Sequence, residues 1–185
     1  MKNKVWIIIA IAFIAIMILA AVLYPKLSEK YSADSRQNGT ASETVTQADN
    51  FTVYDSELNK VRLSDNFGKP IVINFWASWC GPCTSELPAF DAMYEKYGDE
   101  VVFLMINLTD GQRETVEIVK KFVSDNGYSF PVYYDTDYNA SNTYGVYSIP
   151  ETVFIKADGS LYDIRIGAMN ESVLEDYIKQ VIGEG

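Results

Sequence analysis

The feature that most restricts this chain is the run Ile71-Val72-Ile73-Asn74-Phe75-Trp76, six residues with one polar member, with a helical pattern beginning shortly after it. A strand that apolar has no face to offer water. It belongs in a sheet covered on both sides, and sheets of that kind are parallel or mixed with helices packed on their faces. Residues 101–108 form a second such run. Between the two, Leu87, Phe90, Met93, Tyr94 and Tyr97 recur at spacings of three and four, which predicts an amphipathic helix over 82–97 ending at Gly98.

The rest of this region continues the alternation. Short β-branched runs at 51–54 and 61–63 predict an N-terminal hairpin, and Val116, Val119, Phe122 and Val123 predict a helix from about Glu114 to Asp125. A strand is expected at 131–134, a short helix at 137–144, a hairpin from 152–155 and 161–166, and a last helix at 171–182 capped by Asn170. The pattern is that of an α/β sandwich, parallel in its first half and closed by an antiparallel hairpin.

Upstream, residues 5–23 are nineteen consecutive residues without a charge, a proline or a glycine, preceded by Lys2 and Lys4. A helix of that length just crosses a hydrocarbon core of about 30 Å. We read residues 1–24 as a cytoplasmic stub and uncleaved transmembrane anchor. The run is longer than a signal-peptide core, and Ala20-Ala21-Val22-Leu23 is a poor cleavage site. The lysines place the rest of the chain outside the membrane, periplasmic or on its outer face. Residues 25–50 are polar and aperiodic, the composition of a flexible tether, and residues 51–185 are the expected folded domain.

Composition removes several function classes. The chain has no histidine and two cysteines, which excludes serine–histidine and cysteine–histidine catalysis, histidine zinc sites and a four-thiolate zinc site. The net charge of -10 argues against a nucleic-acid partner. No metal and no bound cofactor are expected; the redox group would be the cysteine pair itself.

Both cysteines lie in Trp79-Cys80-Gly81-Pro82-Cys83, directly after the first buried strand and at the start of the first helix. Three residues apart across one helical turn, their sulfurs can join in a small ring, while the unpaired amide N–H groups and positive end of the helix favour a thiolate at Cys80. Cys83, one turn further in, is placed to resolve a mixed disulfide formed at Cys80. Gly81 keeps the turn free of a side chain over the sulfur, Pro82 suits the first helical turn, and Trp79 is expected to flank the sulfur. A structural disulfide closing so small a loop removes little chain entropy, which favours the redox reading.

The segment Asn74-Phe75-Trp76-Ala77 before this motif and Ile149-Pro150-Glu151-Thr152 after it resemble the thioredoxin superfamily. More narrowly, Trp79-Cys80-x-x-Cys83-x-x-Glu86-x-Pro88 behind an anchor resembles the membrane-tethered extracytoplasmic thioredoxins of the TlpA, ResA and CcmG type. The resemblance implies a thioredoxin-like fold, a mixed central sheet flanked by helices, with an inserted helix–strand unit at 114–134. It implies Cys80 as nucleophile, Cys83 as resolving thiol, and Pro150 as a cis-proline facing them, with Ile149 offering its backbone to an extended substrate. Glu86, one turn beyond Cys83, is a candidate proton acceptor; the alternative is a solvated helix-face glutamate. Pro88 is expected to kink the helix. The chain departs from ordinary thioredoxins at Asn74, where they carry a buried aspartate, so that residue's proton-accepting role is not transferred.

Gly81-Pro82 is the dipeptide of reducing thioredoxins, so the resemblance implies a thiol–disulfide oxidoreductase working as a reductant of disulfides in exported proteins. These include apocytochrome c maturation-like clients and secreted methionine sulfoxide reductases or peroxidases. The resemblance also implies a membrane electron carrier of the CcdA or DsbD type upstream; a monomer is expected. An oxidase or isomerase on the same scaffold, and a non-catalytic binder of unfolded exported chains, are the alternatives. A peroxidase reading is weaker, because Ala77-Ser78-Trp79-Cys80 has no threonine beside the cysteine and no arginine near it in sequence.

Overall fold

The structure is a computed structural model that describes residues 46–183 and, apart from these, Met17. The anchor expected at 5–23, Met17 apart, and residues 25–45 of the tether expected at 25–50 lie outside the described residues. Among the described residues, no helix is long and apolar enough to cross a membrane.

Seven strands form one mixed sheet: β1 (Thr52–Tyr54), β2 (Lys60–Arg62), β3 (Ile71–Trp76), β4 (Val102–Asn107), β5 (Val132–Tyr134), β6 (Glu151–Ile155) and β7 (Leu161–Ile166), in the order β2-β1-β5-β4-β3-β6-β7. The central strands β5, β4 and β3 are parallel; β6 pairs antiparallel with β3, and β7 pairs antiparallel with β6. The N-terminal hairpin is the correction to a sheet parallel in its first half. It sits beyond β5, joined antiparallel through Tyr54 and Tyr134, so the parallel strands are flanked by antiparallel ones on both sides.

The fully buried β3 divides its side chains between two cores, as a strand's period of two requires. Val72 and Trp76 join the core built by α1 (Gly81–Tyr97), α2 (Val116–Asn126) and α4 (Glu171–Ile182), through Leu87, Phe90, Met93, Val119, Leu174 and Ile178. Ile71, Ile73 and Phe75 face the other core, with Phe51, Leu63 of a 3-10 turn, and Ala140 of the short α3 (Asn139–Tyr144). Helix α1 runs through the exposed Pro88 and ends at its C-cap Gly98, a position that needs a glycine because a Cβ there would lie 2.7 Å from the Tyr94 carbonyl oxygen.

Two boundaries differ from the sequence expectation. The fold begins at Thr46 rather than Phe51. Gln47 bridges to Ser160, the Leu161 amide donates to the Thr46 carbonyl (2.8 Å), the Ala48 amide donates to Gly159 (3.0 Å), and Ala48 is buried. Helix α2 starts at Val116, capped by the Thr115 hydroxyl, which leaves Glu114 in the preceding loop and free for other contacts.

Candidate active site

Strand β3 ends at Trp76, and the chain turns through Ala77-Ser78-Trp79 into the N-terminus of α1, which carries both sulfurs. Cys80 is the N-cap, and its Sγ accepts the Cys83 amide N–H at 3.2 Å. The two residues are joined as a disulfide, with Cα atoms 5.2 Å apart. Cys80 is 6 % exposed and Cys83 fully buried, so an incoming sulfur meets Cys80 first. The amide that caps Cys80 Sγ stabilises negative charge there when the pair is reduced.

Pro82 occupies the first helical turn, where its missing N–H costs nothing. Gly81 lies beside it in that turn, but a Cβ added to it would meet nothing within 4 Å, so close packing does not explain that glycine. Across the sulfurs lies the loop before β6. The Ile149–Pro150 peptide bond is cis, Pro150 is buried, and the Ile149 carbonyl oxygen stands 3.7 Å from Cys80 Sγ. Tyr147, two residues earlier and not singled out in the sequence, is 85 % exposed. Among the described residues no cluster of His, Cys, Asp or Glu is able to hold a metal ion.

Beneath the pair, Glu86 is 2 % exposed, which removes the solvated-face alternative. One carboxylate oxygen takes the Asn74 amide of β3 (2.8 Å), and the other takes the Met169 backbone N–H (2.8 Å). Burial pushes the Glu86 carboxyl up from 4.5 to about 7, against the opposing pull of those two donors. Asn74 also donates to the Thr152 hydroxyl (3.1 Å), so β3, α1, β6 and the segment before α4 meet at this carboxylate. As residue i+3 from Cys83 on one helix face, Glu86 is a neighbour of the resolving sulfur. Glu151, next to Pro150, is buried as well, and desolvation raises its carboxyl.

Another buried carboxylate serves the loop ahead of Cys80. Glu114, fully buried, accepts the Ser78 backbone N–H and the Ser78 hydroxyl (both 2.6 Å) and the Asn107 amide (2.7 Å). Asn107 is in turn held by the Thr109 hydroxyl (2.8 Å). The preceding residue, Arg113, lays its guanidinium on the indole of Trp79, 4.1 Å from the ring centroid. Sequence reasoning missed both residues. The one signal available was a Glu ahead of a Thr-capped helix, which reads equally as an ordinary helix start.

Comparison with known proteins points the same way. Residues 45–164 match the AhpC/TSA family. The chain is 34% identical over 168 residues to thiol-disulfide oxidoreductase ResA of Bacillus anthracis, an alignment covering 91% of this chain and 93% of the relative. With ResA of Bacillus subtilis (strain 168) the identity is 32% over 139 residues, 74% of each chain. Among solved structures, StoA from Bacillus subtilis superposes with a TM-score of 0.62 at 26% identity, covering 72% of this chain and 98% of StoA. A putative thiol:disulfide interchange protein DsbE from Chlorobium tepidum superposes with a TM-score of 0.67 at 27% identity, covering 75% of this chain and 96% of the other.

Proposed function

Since the chain belongs to the AhpC/TSA family and is a thiol–disulfide oxidoreductase of the ResA type, we propose that it is a membrane-anchored, extracytoplasmic reductant of disulfides in exported proteins. The observation that carries this reading is the unequal setting of the two sulfurs. Cys80 is capped by an amide N–H at the mouth of the site, while Cys83 is buried one helical turn from the Glu86 carboxyl.

In the reduced protein the Cys80 thiolate attacks one sulfur of a client disulfide, forming a mixed disulfide and expelling the client's other sulfur as a thiolate, which takes a proton. Glu86, near neutrality, accepts the proton of the Cys83 thiol. The Cys83 thiolate then attacks Cys80 Sγ, the Cys80–client bond breaks, and the second client thiol leaves. Two electrons pass to the client, and Cys80–Cys83 is left oxidised, as in this structure. Ile149 and Pro150, with Trp79, Gly81 and Pro82, form the surface against which the client chain lies.

A strongly oxidising dithiol owes its potential to a stabilised reduced form. A carboxylate beside Cys83 disfavours the thiolate and works in the opposite direction, in accord with the Gly81-Pro82 dipeptide. We assign residues 5–23 to the anchor, residues 25–45 to the tether, and recharging to a membrane electron carrier of the CcdA or DsbD type, which a tether keeps at high local concentration. No cofactor beyond the dithiol enters this scheme, and the protein acts as a monomer without nucleic acid. The clients are disulfides of apocytochrome c-like proteins or of secreted reductases and peroxidases.

The test is the equilibrium reduction potential of the full chain against dithiothreitol and glutathione buffers. A value at or below about -230 mV is expected; a value near about -120 mV would make the protein an oxidase instead. Cys80→Ser should abolish exchange, and Cys83→Ser should trap the mixed disulfide, seen as a covalent adduct on a non-reducing gel.

A further inference from the structure

Two consecutive residues of the loop after β4 grip the two consecutive residues ahead of Cys80. Glu114 holds Ser78 by its amide and its hydroxyl, and Arg113 lies on Trp79. The Glu114 carboxylate on Ser78 holds the two loops side by side, and in that arrangement the adjoining Arg113 and Trp79 side chains lie face to face. Trp79 is 44 % exposed and Arg113 is exposed, so the shelf they form opens to solvent beside the disulfide.

A guanidinium stacked on an indole uses its face and leaves its N–H donors, which lie in its plane, free. Among the described residues Arg113 takes part in no ion pair. Of the acids beside it in sequence, Glu114 is taken up by Ser78 and Asn107, and Asp110 gives its Oδ1 to the backbone N–H groups of Gln112 and Glu114 at 2.8 Å each. Those bonds first, and the Arg113 charge to a smaller extent, hold the Asp110 carboxyl low, without an ion pair between the two side chains. Held by the indole and without an ion-pair partner, the fork stands at the rim of the site with donors to offer, on a chain whose residues from 51 onward carry ten Lys and Arg against twenty-one Asp and Glu. A planar fork of this kind matches a carboxylate in two parallel hydrogen bonds.

We propose that Arg113 is a specificity residue that receives the carboxylate of an Asp or Glu flanking the client's disulfide. It favours client segments with an acidic residue at that place, against the repulsion of the rest of the surface. The inference rests on thiol–disulfide exchange at Cys80 and not on the direction of electron flow.

The experiment uses the full chain, reduced, and follows exchange with synthetic disulfide peptides that differ only in Asp, Asn or Lys beside the cysteine, together with hydroxyethyl disulfide as a small neutral substrate. Because the pair is exposed, its effect is modest. Arg113→Gln is expected to lower the Asp-to-Lys rate ratio about threefold to fivefold, Arg113→Glu to lower it about tenfold or more, and high salt to shrink both effects. The neutral disulfide should react at an unchanged rate in all three proteins. An unchanged ratio in both variants overturns the proposal, and so does an equal loss of rate toward every substrate, which would make Arg113 a prop for the loop only. A wild-type protein inert toward hydroxyethyl disulfide would overturn the exchange chemistry itself, and this inference with it.

Discussion

Glu86 and Glu114 are both buried carboxylates that serve the same five-residue motif, yet they are held in different ways. Glu114 takes three donors, two from Ser78 in the loop ahead of Cys80 and one from Asn107 at the end of β4, and both of its oxygens tie the entrance to Cys80 in place. Glu86 takes two donors from elements that converge under the dithiol, and desolvation outweighs them, so its carboxyl sits near neutrality. Burial of an acid therefore does not by itself define its role. The number of donors, and whether the acid itself stands in a framework loop or on the helix that carries the sulfurs, separates a clasp from a proton-exchanging group.

The largest test of that contrast removes the clasp. Glu114→Ala strands the Ser78 amide and hydroxyl and the Asn107 amide in the interior, and denaturant unfolding of the oxidised protein should show a loss of about 3 to 4 kcal/mol. Glu86 has the opposite signature, one of pH. Its folded pKa, pushed up to about 7, lies above the ordinary glutamate value of 4.5, so the folded state binds the extra proton between those values and stability falls as pH rises through that window. Glu86→Gln should remove about 3 kcal/mol of the difference in stability between pH 4 and pH 8, leaving the pH 4 value nearly unchanged. An unchanged pH dependence in Glu86→Gln would take from Glu86 the proton-exchanging part of the contrast.

A smaller effect sharpens the account of Glu86. Asn74→Asp replaces a donor at 2.8 Å with a second carboxylate, so the pair should titrate with its upper midpoint about a unit or more higher, read by carboxyl NMR or the pH profile of exchange. The smallest effect checks the clasp. Thr115→Ala removes the cap of α2 and should cost about 1 kcal/mol. A loss as large as that of Glu114→Ala would mean that the clasp is only a helix start.

The legible part of the molecule is the part written in local pattern. The buried runs of β3 and β4, the spacing along α1 and the Cys80–Cys83 pair are all encoded within one or two turns of chain, and the positions of Glu86 and Pro150 follow from them. What escaped was set by contacts between distant segments. Glu114 and Ser78 are 36 residues apart, and nothing in either stretch announces the other. Arg113 reaches the motif by the same fold-back, although no arginine stands near Cys80 in sequence. The docking of residues 46–50 escaped because it relies largely on backbone hydrogen bonds, to which side-chain periodicity is blind.

That docking places the chain's entry at the turn between β6 and β7, whereas Pro150, at the other end of β6, faces the sulfurs. In mechanical terms the domain is mounted by its base. A pull along the chain ahead of Thr46 loads the Leu161–Thr46 and Ala48–Gly159 hydrogen bonds first, then the Tyr144 hydroxyl on the Asp49 carbonyl and the Ser64 amide on the Asn50 side chain. Such a load would enter at the turn between β6 and β7, away from the end of the sheet that carries Cys80.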